Sequence, residues 1–419
     1  MAAQSPLTTA RQPLKAENKP LAGVTICDFT WAGVGAYSTF LLSMLGASVI
    51  KIESQSISVG TGGSGRTSNP VRRRGVTVSL FEELNAGKKS VALNLKHARG
   101  RELALGLVAG SNLVMENFRP GVMKRLGLGY DDLKVVRPDL VMVSMSTSGG
   151  FGPESLGTGY APVFAALSGA SWLTGYKDGP PVELRFPVDM ESGTMGTFSA
   201  LMGLYRQETL REGSYFDLSN RETFGAFIAD AFMDYAWNGR EQGRVGNQDW
   251  RMAPHDCYPC AGEDEWIVIA VESETEWDGL KRALGNPAWM EDASFADRFL
   301  RWKNSDALDQ KLGDWTKDRS AREIMELLQS FGVASTPSHS AMGLLTDTHL
   351  NALGKFKGLS KRDGNSWIFF GPPWTLTGST VEVTEPSPEL GQHSREVLTS
   401  RLGLSDDEFD ELVEQRAIH

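Results

Sequence analysis

The chain has 419 residues, too many for one compact core, so two or three domains are expected. Its 41% apolar and 22% charged residues are those of an ordinary globular protein, and a formal net charge of −10 argues against non-specific nucleic-acid binding. No apolar run is long enough to span a bilayer, no secretory stretch opens the chain, and Cys27, Cys257 and Cys260 form no disulfide framework, so the expected compartment is a reducing cytoplasm.

Residues 1–20, rich in Ser, Thr, Gln, Lys and Pro, read as a disordered, solvated tail. "GVTICDF" then reads as a short apolar strand, "AGVGAYSTFLLSMLG" as a glycine-bearing turn and helix, and "ASVIKIE" as a second strand. Such a β-α-β unit predicts a parallel sheet covered by helices. "GTGGSG", Gly60 to Gly65, matches a dinucleotide fingerprint literally. Pro70 and a run of arginines follow it where a helix should open, so it reads as a loop. "SVALNL", "NLVMEN" and "LVMVSMS" read as further strands, with helices at "ARGRELALGLVAG", ending at Gly110, and at "GYDDLKVVRP".

In "LRFPVDMESGTMG" an extended approach ends at Asp189, placed just before a helix. Met195, Phe198, Leu201, Met202 and Tyr205 recur at three- and four-residue spacing and mark one apolar face of that helix. An aspartate here is either an N-cap or a reactive carboxylate, and local sequence leaves both open. Residues 236–254, containing "NGREQGRVGNQDW", read as a linker or loop, and residues 255–345 as a smaller domain with charged amphipathic helices. Near the end, Ser405 with Glu408 three residues on reads as a capping box.

"HDCYPC" gathers His255, Cys257 and Cys260, but no second Cys or His pair completes a closed zinc site, so no metal is expected. There is no nucleophile elbow and no P-loop, and the six histidines are scattered. Basic residues cluster at Lys88, Lys89 and Lys96, and again at Arg119, Lys124 and Arg125 beside Phe118. Cations beside an aromatic suit a phosphorylated ligand with a purine; each cluster read alone is more often a solvated face, and the two together on an acidic protein favour the ligand.

Taken in order, "PLAGVTICDFT", "LGASVIKIE", "NAGKKSVALNLK", "ENFRPGVMKRLGLGYDDL", "PDLVMVSMS", "APHDCYPCAGEDEWIVIAV", "SFGVASTP" and "LGQHSREVL" resemble the class III CoA-transferases. That family includes formyl-CoA:oxalate and carnitine CoA-transferases and, more widely, α-methylacyl-CoA racemase. The resemblance implies an α/β fold with a Rossmann-like large domain built from residues 21–235 and 346–419, a smaller α+β domain, and an interlocked dimer. It implies CoA transfer from an acyl-CoA, with succinyl-CoA the suggested donor, to a free carboxylic acid, with no permanently bound cofactor. Asp189 is the implied nucleophile, passing through a mixed anhydride and an aspartyl-CoA thioester. The implied CoA contacts are Ala32, Leu93, Lys96, Asn117, Phe118, Lys124, Arg125 and Leu126, and the implied substrate pocket includes Tyr160 and Ala161.

Some positions depart from the family pattern. Ser54 stands where an arginine is usual after "VIKIE", and "TLREGSY" replaces a glycine-rich turn. "RVGNQDWRMAPHDCYPC" looks closer to the benzylsuccinate branch, some of whose members pair two different subunits, so a sister chain stays open beside a homodimer. The rival functions are an acyl-CoA racemase, whose histidine is replaced at Tyr160, and a non-catalytic subunit of a heteromer.

Overall fold

The computed structural model describes residues 19–54, 71–73, 76–78, 80–184, 186–361, 364, 366–379 and 381–419. Most of the expected tail and the whole Gly60–Gly65 string lie outside these residues. The chain divides into two compact units. One comprises the chain up to Ala170, Glu183–Asp230 and Gly354–His419; the other comprises Ser171–Val182 and Ala231–Leu353.

The first unit is built on a six-stranded parallel sheet. Its strands are β1 (Thr25–Asp28), β2 (Ser48–Glu53), β5 (Lys89–Ala92), β6 (Leu113–Glu116), β7 (Val141–Ser146) and β8 (Ser214–Ser219), while a separate hairpin pairs β3 (Val71–Arg73) with β4 (Val76–Val78). The spatial order β5-β2-β1-β6-β7-β8 is that of a Rossmann-type doubly wound sheet, and it reverses direction at β1. β1 is buried along its whole length, with Cys27 in register with Ile50 on one side and Val114 on the other. Burial on both faces is why these strands read as continuous apolar runs. β8, "SYFDLS", is half-buried at the sheet edge and carries no such run.

The helices of this unit are α1 (Ala32–Met44), α2 (Leu80–Leu84), α3 (Ala98–Ala109), α4 (Val122–Arg125), α5 (Tyr130–Val136), α6 (Ala161–Leu167), α8 (Phe186–Leu210) and α9 (Asn220–Gly225), while α7 (Ala170–Leu173) begins at the unit boundary and continues into the second unit. One core lies between α3, α5 and the sheet. Val397, Leu398, Phe409, Leu412 and Ile418 from the last helices, Ser394–Leu402 and Asp406–Glu414, pack into it beside Val91, Leu103 and Leu107. The final helix opens on the Ser405–Glu408 capping box that the sequence predicts. A second core, on the opposite face, joins Val34, Leu42, Val143, Ala161, Phe164, Val188, Ala200 and Leu204.

In the longest helix, α8, the apolar face turns outward, except that Leu201 is half-buried against the second core. Phe198, Met202 and Tyr205 are 55%, 42% and 73% exposed, and Met195 is also exposed, whereas Ser192, Gly193, Gly196, Thr197 and Ala200 are buried. The small-residue face is the one that packs on α1 and β7. A β-carbon on Gly193 would stand 2.8 Å from Val34 O, and one on Gly196 would stand 2.5 Å from Met145 Sδ.

In the second unit, a three-stranded antiparallel sheet orders Ala334–Pro337, Trp266–Ala270 and His255–Pro259. Helices Glu274–Ala283, Ser305–Thr316 and Ala321–Ser330 pack Trp277, Leu280, Leu308, Leu312, Ile324 and Leu328 against it. The segment Ser171–Val182, which the sequence does not set apart from its neighbours, is tied into this unit by Arg244. That guanidinium stacks 4.9 Å over Trp172 and donates to the Gly179 carbonyl at 3.1 Å.

Candidate active site

A doubly wound sheet opens a crevice at the C-terminal ends of the two strands where its order reverses, here β1 and β6. Asp28 closes β1 and is fully buried. Its Oδ1 accepts from Thr30 N at 2.8 Å and from Thr30 Oγ1 at 2.5 Å, which folds the chain back on itself. Asn117, just past β6, grips the next residue on both sides. Trp31 N donates to its Oδ1 at 2.9 Å, and its Nδ2 donates to Trp31 O at 2.7 Å. Ala32 follows with φ +60°, a left-handed backbone that a residue with a β-carbon adopts only under constraint.

Asp189 approaches this turn from α8. The β-carbon that Gly33 lacks would stand 2.2 Å from Asp189 Oδ2, so only glycine leaves room for the carboxylate there. The carboxylate therefore lies against the first turn of α1, where backbone N–H groups have no intrahelical partner. Asp189 itself is within the first turn of α8 and not ahead of it, which corrects the sequence reading and removes the N-cap role. Pro187 explains the earlier start. Proline fits the first helical turn, because its fixed φ is helical and its missing N–H would be unpaired there anyway.

The Asp189 carboxyl is half-buried, and burial pushes its pKa up to about 6. Among the described residues no side chain donates a hydrogen bond to it. Glu191, two residues on, lies beside Tyr37, whose pKa is raised by burial first and then by Glu83 and Glu191.

The other sequence-predicted residues divide by burial. Ala32 and Asn117 meet through the Trp31 bonds, and Phe118 and Leu126 pack half-buried on the core that holds Leu93. Leu93 is fully buried, and its N–H is already taken by Glu53 O at 2.8 Å. Lys96, Lys124 and Arg125 are exposed, the last two ending α4. Tyr160 is 63% exposed before α6, while Ala161 is buried in the same core as Val188. Lys88 is a correction. It is fully buried and bonded to Asp28, so it is not part of a solvent-facing basic cluster, and Lys89 pairs with Glu396 on the surface.

Sequence reading missed Asp28, Thr30, Trp31 and Gly33. An acidic residue closing an otherwise apolar strand, followed within seven residues by two glycines, is the signal that "DFTWAGVG" carried. Beside Asn117, Glu116 is buried and its pKa rises to about 7, against the lowering bonds from Ser144 and Phe118 N. The Cys260 thiol is likewise pushed up to about 11 by burial, so it is no activated nucleophile. Among the described residues no group of three His, Cys, Asp or Glu side chains is placed to hold a metal ion, and no helix is long and apolar enough to cross a membrane.

Residues 21–394 match the model of CoA-transferase family III. A succinyl-CoA–D-citramalate CoA-transferase of Chloroflexus aurantiacus is 29% identical over 401 residues, covering 96% of this chain and 98% of that one. The β subunit of a succinyl-CoA–L-malate CoA-transferase from the same organism is 26% identical, covering 95% and 98%. A crystal structure of a CaiB/BaiF family protein from Brucella suis superposes with a TM-score of 0.81 at 25% identity, covering 92% and 100%. The chain belongs to CoA-transferase family III.

Proposed function

We propose that this CoA-transferase moves CoA from succinyl-CoA to a free carboxylic acid by covalent catalysis on Asp189. The observation that carries this reading is the Asp189 carboxylate, half-buried, without a donating side chain among the described residues, and seated on the amide end of α1. Both Chloroflexus relatives are named for succinyl-CoA, which supports the donor.

In the first half-reaction an Asp189 oxygen attacks the thioester carbonyl, the C–S bond breaks, and CoA leaves as thiolate with a mixed anhydride behind it. The thiolate then attacks the aspartyl carbonyl, releasing the donor acid and leaving an aspartyl-CoA thioester. The acceptor carboxylate reverses both steps, and Asp189 is returned as a carboxylate. Splitting the transfer in this way keeps the activation in covalent bonds throughout. A pKa of about 6 leaves the group ionised at neutral pH yet more basic than a solvated carboxylate. The free amides of the first α1 turn supply donors for the oxyanions of both half-reactions.

CoA is held, in this reading, by the Ala32 turn, Asn117, Phe118, Leu126 and the Leu93 backbone, with Lys96, Lys124 and Arg125 meeting the phosphates. Tyr160 and Ala161 border the acid. The exposed apolar side of α8 suits a second copy of the chain, or a sister subunit of the kind the L-malate relative's name describes.

The test is incubation with succinyl-CoA and a panel of carboxylic acids, followed by intact-mass detection of a CoA adduct and peptide mapping. The adduct is expected on the peptide bearing Asp189, and its appearance on another residue rejects the assignment. A supporting-subunit role instead predicts that Asp189→Ala leaves the activity of a heteromer unchanged. A racemase predicts exchange of the α-proton with no acceptor acid present.

A further inference from the structure

The motif "NAGKKSVALNL" contributes a residue that none of these steps uses. Lys88 enters the interior, fully buried, where its Nζ donates to Asp28 Oδ2 at 3.2 Å, Thr39 Oγ1 at 2.7 Å, Asn85 Oδ1 at 2.9 Å and Ala36 O at 3.0 Å. Lys51 enters from β2, with its Nζ 3.8 Å from Asp28 Oδ2 and donating to Thr30 O at 2.7 Å. Thr39 donates to the same carboxylate oxygen at 2.8 Å. Two lysines and one aspartate are thus gathered with almost no solvent contact.

Such a cluster is expensive. Removing charges from water costs several kcal/mol per ion, and apolar side chains of similar volume often hold a fold equally well. Burial lowers the Lys88 pKa to about 7 even though Asp28 opposes the shift. Burial would raise Asp28, but the two lysines and the Thr30 and Thr39 bonds hold it below its ordinary value. What the cluster grips explains its retention. Asp28 takes the N–H and hydroxyl of Thr30, and Lys51 takes its carbonyl, so every polar group of Thr30 is bound. Asn117 then binds both polar backbone groups of Trp31. The next residue is Ala32, held at φ +60°, and the one after is Gly33, over which the Asp189 carboxylate lies. Lys88 meanwhile binds the Ala36 carbonyl at the end of the first α1 turn, fixing that turn from its other end.

We propose that Asp28, Lys51 and Lys88 are positioning residues that force the Thr30–Ala32 turn into its strained shape and thereby keep the amide end of α1 against Asp189. This inference rests on Asp189 as the nucleophile, and it adds the device that sets the distance over which that nucleophile works. A misplacement of about 1 Å costs on the order of 100-fold in rate.

The test uses two variants that relax the device without leaving an unpaired buried charge. Thr39→Val removes one bond to Asp28 Oδ2 and one partner of Lys88 Nζ at nearly constant shape, and leaves Asp28 paired with both lysines. Lys51→Met frees the Thr30 carbonyl and leaves Asp28 paired with Lys88. For each, thermal melting, KM for succinyl-CoA, kcat, and the rate of CoA-adduct formation in a single turnover are measured. The expected result is a folded protein, with KM within about threefold, and kcat and adduct formation slowed about 10- to 100-fold in Lys51→Met and less in Thr39→Val. A rate within threefold of wild type in a folded Lys51→Met protein, or a loss confined to KM, overturns the proposal. If wild type itself forms no adduct on the Asp189 peptide, the nucleophile reading fails instead, so the two failures are distinguishable.

Discussion

The two sides of α8 carry opposite chemistry to opposite ends. The inner side is small: Ser192, Gly193, Gly196, Thr197 and Ala200 let the helix backbone close onto α1 and β7, and Asp189 sits at its head over Gly33. The outer side is large and apolar, with Met195, Phe198, Met202 and Tyr205 open to solvent in the single chain. Backbone-close packing fixes a helix more sharply than long side chains do, because there are few rotamers to absorb a shift. The inner side is thus suited to fixing the position of Asp189, the proposed nucleophile. The outer side is suited to association, where area matters more than placement.

The comparison breaks most visibly at Gly33. Its missing β-carbon would lie 2.2 Å from Asp189 Oδ2, closer than any atoms tolerate, and the carboxylate would have to swing away. Gly33→Ala should reduce kcat about 100-fold, while far-UV circular dichroism and the melting profile stay close to wild type. Equal activity in this variant would mean that the carboxylate does not work from where it lies.

Stability against pH probes the same end of the helix. The Asp189 pKa is raised by burial from 3.8 to about 6, so the native state binds this proton more tightly than the unfolded chain does. That contribution is fully present below about pH 3.8 and is lost as the pH rises through about 6. Above this window the ionised carboxylate is a liability on the order of 2 kcal/mol, discounted for partial exposure. Asp189→Asn should therefore melt higher than wild type at pH 7, and the difference should vanish near pH 3.5. With Asp189 as the proposed nucleophile, kcat/KM of wild type should fall as the pH drops below about 6, where its carboxylate becomes protonated.

How much of this was legible in the sequence follows from what each pattern encodes. Buried parallel strands are continuous apolar words, so β1, β2, β6 and β7 could be read, and half-buried β8 could not. Periodicity showed that α8 has an apolar side but not what lies across from it. A helix that packs through glycines turns its bulky side outward, and no count of apolar residues reveals that inversion. Asp189 stood out only through the resemblance, since "FPVD" reads as extended until Pro187 is taken as a first-turn residue. Lys88 and Lys89 are indistinguishable as letters; the sheet sends one inward to Asp28 and the other outward to Glu396. The Asn117 grip on Trp31 joins residues 86 apart, a pairing that only the strand order creates.

A smaller effect is expected midway along the inner side. Gly196→Ala would put a β-carbon 2.5 Å from Met145 Sδ and 2.7 Å from Ser38 Oγ. Overpacking of this kind costs about 1–3 kcal/mol, and the better helix propensity of alanine returns up to about 1. A net loss of about 1–2 kcal/mol in denaturant unfolding is expected. A gain in stability would show that α1 and α8 are not in backbone contact at this level.

The smallest effect on folding, and the one that sharpens the comparison most, belongs to the outer side. Phe198 and Met202 are 55% and 42% exposed within the chain, so replacing both by serine removes only part of each side chain's area from the single-chain fold. Such surface changes ordinarily stay within about 0.5 kcal/mol. If this side meets a second chain, the same pair of substitutions strips apolar anchors from the centre of that contact, where a few residues carry most of the binding energy. Sedimentation over a dilution series should then show the double variant dissociating at higher concentration than wild type, while the unfolding of the dissociated chain is unchanged. The reverse pattern, with association intact and the dissociated chain markedly destabilised, would mean that the bulky side is already packed within its own chain. The division of labour between the two sides of α8 would then be wrong.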